Sequence, residues 1–215
     1  MKLYIMRHGE TDWNKQGLIQ GSADIPLNQF GIELAEKTRD GLKADGIVFD
    51  RIFSSPYVRA QKTAEIIGES MQIPVVVDEQ IREMSFGSYE GIKICELRTN
   101  PEYIEINKCF DDPVQYQAEG TAEPYEEVFA RIGSFLEHTI LPLEGSCENV
   151  LVVCHGAVIR AFISIIKEMH LSEYWTIHQP NCSINLAEVK DGKITMLEEN
   201  RLYYEHKSDA GRRFV

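Results

Sequence analysis

Positive charge is scarce in this chain: 22 Lys and Arg stand against 34 Asp and Glu, a formal net charge of −12 over 215 residues. A nucleic-acid binder concentrates basic residues on one face, so this balance argues against that class. It leaves room for an anionic small molecule, because a few arginines in a cleft can dominate the local field. Cysteine is sparse as well. Cys95, Cys109, Cys147, Cys154 and Cys182 are scattered, odd in number and never spaced Cys-x-x-Cys. That distribution argues against a disulfide frame or a zinc site and fits reduced thiols in the cytoplasm. Long apolar runs are missing: the one after Lys2 is cut at Arg7, too early for a signal-peptide core, and none approaches the length of a membrane span. No internal repeat or low-complexity tract occurs, and no Gly-x-Gly-x-x-Gly follows the first apolar run to mark a dinucleotide site. What is left is an ordinary globular composition, 43% hydrophobic and 26% charged. The chain is long enough to bury a full core as one domain over residues 1–215.

The short apolar runs that are present alternate with helical patterns. Leu3–Met6 and Val150–Cys154 are nearly continuous hydrophobic segments, the pattern of strands buried on both faces, and Val75–Val77 and Arg51–Phe53 are shorter examples. Asn28 is placed as an N-cap, with Leu27 and Ile32 set for a hydrophobic staple. Ser55-Pro56 reads as an N-cap followed by proline at the first helical position, ahead of the stripe Ala60, Ala64, Ile67, Met71. Two further helices are predicted, from Tyr125 to Ile140 and from Ala157 to Lys167. Ile184–Val189 and Ile194–Leu197 flank Asp191-Gly192 as a hairpin. This alternation predicts an α/β fold in three layers, a largely parallel sheet flanked by helices. The stretch 84–124 breaks the rhythm and reads as an inserted, partly helical cap.

In open α/β sheets, ligands bind beyond the carboxyl ends of the strands. Arg7-His8-Gly9 follows the first strand, Cys154-His155-Gly156 another, and Ser54-Ser55-Pro56 a third with Arg59 just behind it; Glu83 comes a few residues after Val75–Val77. Each has a plain reading. A lone histidine at a strand end usually reaches solvent, Arg59 could pair with Glu65 or Glu69 on its helix, and Glu83 could form a surface pair with Arg82. Together they make two histidines, two arginines and one acid on one rim, a set suited to phosphoryl transfer. Helix N-terminal amides at Gly156 would add donors, and a glycine after each histidine would let backbone approach a ligand. A metal held by His8, His155 and Glu83 is the competing reading, but Arg7 and Arg59 would repel a cation.

"RHGETDWN" (7–14) with "QG" (20–21), "SSPYVRAQKTAEII" (54–67), "REMSFGSYEG" (82–91) and "CHGAVIRAF" (154–162) resemble the histidine phosphatase superfamily, the phosphoglycerate mutase-like family. Carried over residue by residue, the resemblance implies that His8 becomes phosphorylated, with Arg7, Arg59 and His155 completing the phosphate pocket and Asn14 adding a donor. Glu83 would give its proton to the leaving oxygen and then act as base for water. Gly21 and Gly156 would lie against the pocket wall, with Thr11 and Gln20 near the substrate. The resemblance further implies no metal and no organic cofactor. Physical chemistry adds conditions. His8 should be neutral at the attacking nitrogen, with its other nitrogen donating to a carbonyl such as that of Gly9, and nearby arginines disfavour its imidazolium. His155 serves best when protonated, donating to a phosphoryl oxygen.

The family contains hydrolases and phosphosugar mutases. Residues 92–124 carry one arginine, Arg98, two lysines, five glutamates and two aspartates. Mutases of the family resemble one another in a longer insertion after the position of Gly91, with paired arginines and a proline-rich stretch; holding a bisphosphate calls for a second cationic pocket, which this segment does not supply. The expectation is a metal-independent phosphatase of the phosphatase branch, acting through a phosphohistidine on a small phosphorylated metabolite with a neutral or partly apolar leaving group, and having neither nucleic acid nor membrane as partner. A phosphoglycerate mutase-type transferase is the alternative, and a non-catalytic phospho-ligand binder a more distant one, since such relatives lose a core residue. Phe86, Tyr89, Tyr103, Phe110 and Tyr116 could wall the substrate, and Arg212 and Arg213 could reach it from the C-terminus.

Overall fold

The computed structural model describes residues 1–69, 71–97 and 99–205; Arg98, Arg212 and Arg213 lie outside the described residues. Six strands form one mixed sheet: β1 (Lys2–Arg7), β2 (Arg51–Ser54), β3 (Val75–Val77), β4 (Asn149–Cys154), β5 (Ile184–Lys190) and β6 (Lys193–Arg201), in the order β3-β2-β4-β1-β5-β6. The first four strands are parallel, while β5 runs antiparallel to β1 and β6 antiparallel to β5. The helices are α1 (Asp12–Gln16), α2 (Gln29–Ala44), α3 (Val58–Glu69), α4 (Ile94–Leu97), α5 (Ile104–Asp111), α6 (Tyr125–Phe135) and α7 (Gly156–Lys167).

Alternation along the central strands builds the layers, because successive side chains of a strand face opposite ways. Leu3, Ile5, Val150 and Val152 pack on one side with α6, α7 and apolar residues of the 84–124 segment. Tyr4, Met6, Leu151 and Val153 pack on the other side with α2 and α3. Among the described residues no helix is long and apolar enough to cross a membrane.

Several expectations need adjusting. Val75–Val77 forms a strand at the sheet's edge, with Val76 44% and Val77 47% exposed, so its hydrophobicity does not mark burial on both faces. Ser55 is no N-cap: α3 starts at Val58, whose amide is capped from a distant loop by Asp24 Oδ1 at 2.8 Å. The Ser55 hydroxyl lies 2.6 Å from His155 Nε2 and takes only a long bond, 3.4 Å, from Tyr57 N ahead of the helix. Met71 falls beyond the end of α3. The helix after Pro124 is α-helical only to Phe135 and continues as one π-helical stretch, Leu136–Ile140. Asn28 does cap α2, its side chain accepting from Gly31 N at 2.8 Å. Asp191 and Gly192 both take positive φ, 53° and 71°, which suits the tight two-residue hairpin turn joining β5 to β6.

Register fixes the rim. Arg7 lies opposite Cys154 and Ser54 opposite Val153, so β1, β4 and β2 end nearly level. The chain leaves them as His8, His155 and Ser55, with His8 N donating to Cys154 O and Ser55 N to Val153 O, both at 3.0 Å.

Candidate active site

His8 is 3% exposed, and its ring is oriented by its own neighbour: Nδ1 donates to Gly9 O at 2.6 Å. The tautomer follows, leaving Nε2 without a proton. Gly9 N donates to Thr63 Oγ1 (3.0 Å), and that hydroxyl donates to Arg59 O (2.7 Å), tying the histidine loop to α3. Gly9 is glycine for packing: a Cβ there would meet Gly31 O at 2.5 Å. The sequence-based reading that it admits a ligand holds better for Gly156, which lines the cavity.

Three guanidinium groups surround that cavity, whose volume is about 60 Å³, room for several waters or one phosphoryl group. Arg7 donates through Nη1 to Gln179 O at 2.5 Å. Arg59 donates to Ala23 O (2.7 Å), Gly21 O (2.8 Å) and, through Nε, His155 Nδ1 (3.2 Å). With its amide oxygen turned to Arg59, Gln20 accepts from Nε (2.9 Å) and Nη1 (3.0 Å) and donates to Thr11 Oγ1 (2.7 Å). Burial pushes the Arg59 guanidinium down to about 10; it remains a cation at neutral pH. Arg160 is the third. Asn14 lines the same cavity with its Oδ1 already accepting from Thr11 N (3.2 Å) and Asn181 Nδ2 (3.3 Å), which leaves its amide nitrogen as a donor.

Glu83 enters from the opposite side of the sheet. Oε1 accepts from Met84 N (2.9 Å) and Val158 N (3.2 Å), and Oε2 from Ala157 N (3.2 Å). The carboxylate thus caps α7, and two of the first three amides of that helix serve Glu83 rather than a ligand. Glu83 makes no pair with Arg82, which bonds Glu123 instead (3.0 Å).

His155 departs from its expected part. Its Nδ1 accepts from Arg59 and its Nε2 lies 2.6 Å from Ser55 Oγ, and the residue does not line the cavity. Burial first, then Arg59, His8 and Arg7, push it well below the ordinary histidine value, so it is neutral here rather than protonated. Its ring centre is 5.1 Å from that of His8. Thr11 is also displaced from the expected place: fully buried as the N-cap of α1, it stands behind Gln20. Tyr89, Tyr103 and Tyr116 pack within the 84–124 segment and against α6 and stay off the cavity, whereas Phe86 and Phe110 line it, stacked at 5.6 Å. Arg160 and Trp175 had no assigned part in the sequence reading, and Ser55 had one only as a helix cap. For Arg160 a signal existed: it is a lone charge in the apolar helix GAVIRAFISII, and a buried charge asks for a partner.

His8 is likewise held well below its ordinary value, by burial and then by Arg59 and Arg7. Two histidines that stay neutral when folded but take up protons near 6.5 when unfolded make stability fall as pH drops below that value. Each contributes a slope of about 1.4 kcal/mol per pH unit. Urea unfolding between pH 7.5 and 5 should therefore show a shallower acid slope for His8→Gln than for wild type, by about that amount per unit. Equal slopes would mean that His8 is protonated in the folded protein.

Residues 3–201 match the model of the histidine phosphatase superfamily (branch 1). The chain belongs to this superfamily. A putative phosphoserine phosphatase 2 of Hydrogenobacter thermophilus is 33% identical over 202 residues, 94% of this chain and 96% of that protein. A 2,3-bisphosphoglycerate-dependent phosphoglycerate mutase of a Methylobacterium species is 31% identical over 185 residues, 81% and 86% of the two chains. Among solved structures, a phosphoserine phosphatase mutant from Entamoeba histolytica in complex with phosphoserine matches with a TM-score of 0.80 at 29% identity, covering 93% of this chain and 96% of that one. Among the described residues of this superfamily member, no group of three His, Cys, Asp or Glu is placed to hold a metal ion.

Proposed function

We propose that this superfamily member hydrolyses small phosphate monoesters in the cytoplasm through a phosphohistidine on His8. The observation that carries the reading is the unprotonated Nε2, fixed by the Gly9 carbonyl, on a cavity also lined by Arg7, Arg59, Asn14 and Glu83. Nε2 attacks phosphorus as the ester oxygen departs. Arg7, Arg59 and the Asn14 amide neutralise the phosphoryl oxygens, positioning and charge being most of what this chemistry asks of a protein. His155 steadies Arg59 from behind. Glu83 protonates the leaving oxygen through Oε2, the carboxyl oxygen with a single amide partner, and the same atom then takes the proton of the attacking water. The 84–124 segment acts as a cap within one domain and selects the leaving group.

Hydrolysis is favoured over mutase action because the segment is acidic, although a mutase stands among the relatives. Rapid mixing with an ester carrying a radiolabelled phosphoryl group, in excess chelator, tests the reading. The protein should acquire label that survives alkali and is lost in acid, as inorganic phosphate appears. Release of phosphate with no labelled protein would point to direct attack by water. Label that moves to a second position on the substrate would point to a mutase.

A further inference from the structure

One short turn, residues 179–183 just ahead of β5, holds Arg7, His8 and Asn14 together. Arg7 is gripped three times: its N donates to Ser183 O (3.0 Å), its O accepts from Cys182 N (3.1 Å), and its Nη1 donates to Gln179 O (2.5 Å). His8 O accepts from Cys182 N (3.2 Å) and from Asn181 Nδ2 (3.0 Å). Asn14 Oδ1 accepts from the same Asn181 Nδ2 at 3.3 Å. Ser183 N closes the turn on Pro180 O (3.1 Å). Cys182 takes φ 57° within it, a left-handed conformation uncommon for any residue but glycine. Such geometry persists where surrounding contacts enforce it, and here it points the Cys182 amide at the carbonyls of Arg7 and His8.

The Asn181 side chain decides which way Asn14 faces. An amide shows an acceptor oxygen on one side and a donor NH₂ on the other, and only the NH₂ can stabilise a phosphoryl oxygen. His8 O is a backbone carbonyl and can only accept, so the Asn181 atom facing it is Nδ2. That NH₂ also meets Asn14, whose facing atom must then be the acceptor Oδ1, a choice that Thr11 N enforces as well at 3.2 Å. The Asn14 NH₂ is left for the cavity, which Asn14 lines and Asn181 does not. The His8 carbonyl thus sets the amide of Asn181, and Asn181 sets that of Asn14. We propose that Asn181 is a positioning residue for phosphoryl transfer: without touching substrate, it aims the Asn14 donor at the phosphoryl group by fixing its amide orientation. Tyr204, just beyond β6, donates to Asn181 O and so pins the backbone of the same residue. This inference rests on the phosphatase reading above.

Asn181→Asp reverses the arrangement. A carboxylate offers only acceptors to His8 O and Asn14 Oδ1, so Asn14 is driven to turn its NH₂ toward position 181 and its oxygen toward the phosphoryl group. In kcat/KM for p-nitrophenyl phosphate, Asn181→Asp should lose about 100-fold and Asn181→Ala about tenfold. Both are repeated with Asn14→Ala, which by itself should lose about 10- to 100-fold as a charge-assisted bond disappears. In that background Asn181→Ala should cost less than about threefold and Asn181→Asp no more than about tenfold, through its charge alone, because no amide remains to be aimed. Undiminished losses in the Asn14→Ala background would mean that Asn181 acts on His8 or on folding, and would overturn the proposal. So would an Asn181→Asp within about threefold of wild type. Asn181→Ala carries the comparison if Asn181→Asp does not fold. If wild type turns over no ester, the phosphatase reading fails by itself, and the rise in Tm caused by inorganic phosphate replaces kcat/KM. A rise that Asn181→Ala cuts in wild type but not in Asn14→Ala upholds the aiming role, and equal cuts in both overturn it. A wild type that also shows no response to phosphate overturns both readings.

Discussion

Replacing His8 with alanine is expected to lower kcat for p-nitrophenyl phosphate by about 10⁴-fold or more, about 5.5 kcal/mol of barrier, and to abolish protein labelling. The size follows from what the imidazole supplies. Its Nε2 is free of a proton because Nδ1 is tied to Gly9 O, and burial with Arg59 and Arg7 keeps the ring neutral through the physiological range. The ring is therefore ready to attack without first losing a proton, and it is oriented before substrate arrives, so the entropic cost of bringing nucleophile and ester together is met in folding. Alanine leaves the arginines and Glu83 in place, so a residual rate from charge stabilisation and water attack should persist above the uncatalysed one. Inorganic phosphate should still raise the Tm of His8→Ala, which separates loss of the nucleophile from loss of the pocket. A kcat within tenfold of wild type would place the nucleophile elsewhere.

The lowered pKa of His8 also shapes the activity profile. Because His8 titrates well below 6.5, it stays competent on the acid side of neutrality, and the acid limb of kcat/KM falls well under that value.

Much of this arrangement could be read before any coordinates. Leu3–Met6 and Val150–Cys154 announce the central strands because burial on both faces leaves no polar position. Once the strands are parallel, register alone delivers His8 and His155 to one rim. What could not be read is partner choice among equals. Ser55-Pro56 has the composition of a helix start, but the hydroxyl finds His155 and the helix takes its cap from Asp24, some thirty residues away in sequence. Val75–Val77 looks like a core strand because composition cannot show that it stands at the end of the strand order. Thr11 was expected near the substrate, yet its local capping bond with Asn14 and its bond to Gln20 hold it one layer back. The protonation state of His155 could not be read from the sequence, for a related reason. Its charge depends on Arg59 and His8, brought close only by tertiary structure, and on burial that strand-end composition does not reveal.

Substitution of Glu83 by glutamine should separate substrates by their leaving groups. An alkyl phosphate such as glycerol 3-phosphate must shed an alkoxide, a poor leaving group unless a proton reaches it in the transition state. Loss of a positioned general acid there should cost about 10²- to 10⁴-fold in kcat/KM. p-Nitrophenolate leaves well without a proton, so the first step should slow by less than tenfold and phosphohistidine should accumulate, because the second step still needs a base for water. Glutamine is close in shape, and its single amide oxygen can still accept from the α7 amides, but its NH₂ faces one of the donors now on Oε1 or Oε2. Some loss of stability is therefore expected alongside the kinetic effect, of the order of 1–3 kcal/mol for an unmet buried bond. The leaving-group split is the discriminating readout, since a merely loosened α7 would slow both substrates alike. If kcat/KM, which reports the phosphorylation step alone, fell by the same factor for glycerol 3-phosphate and p-nitrophenyl phosphate, Glu83 would be a cap for α7 and the proton donor would have to be sought among the other groups on the cavity.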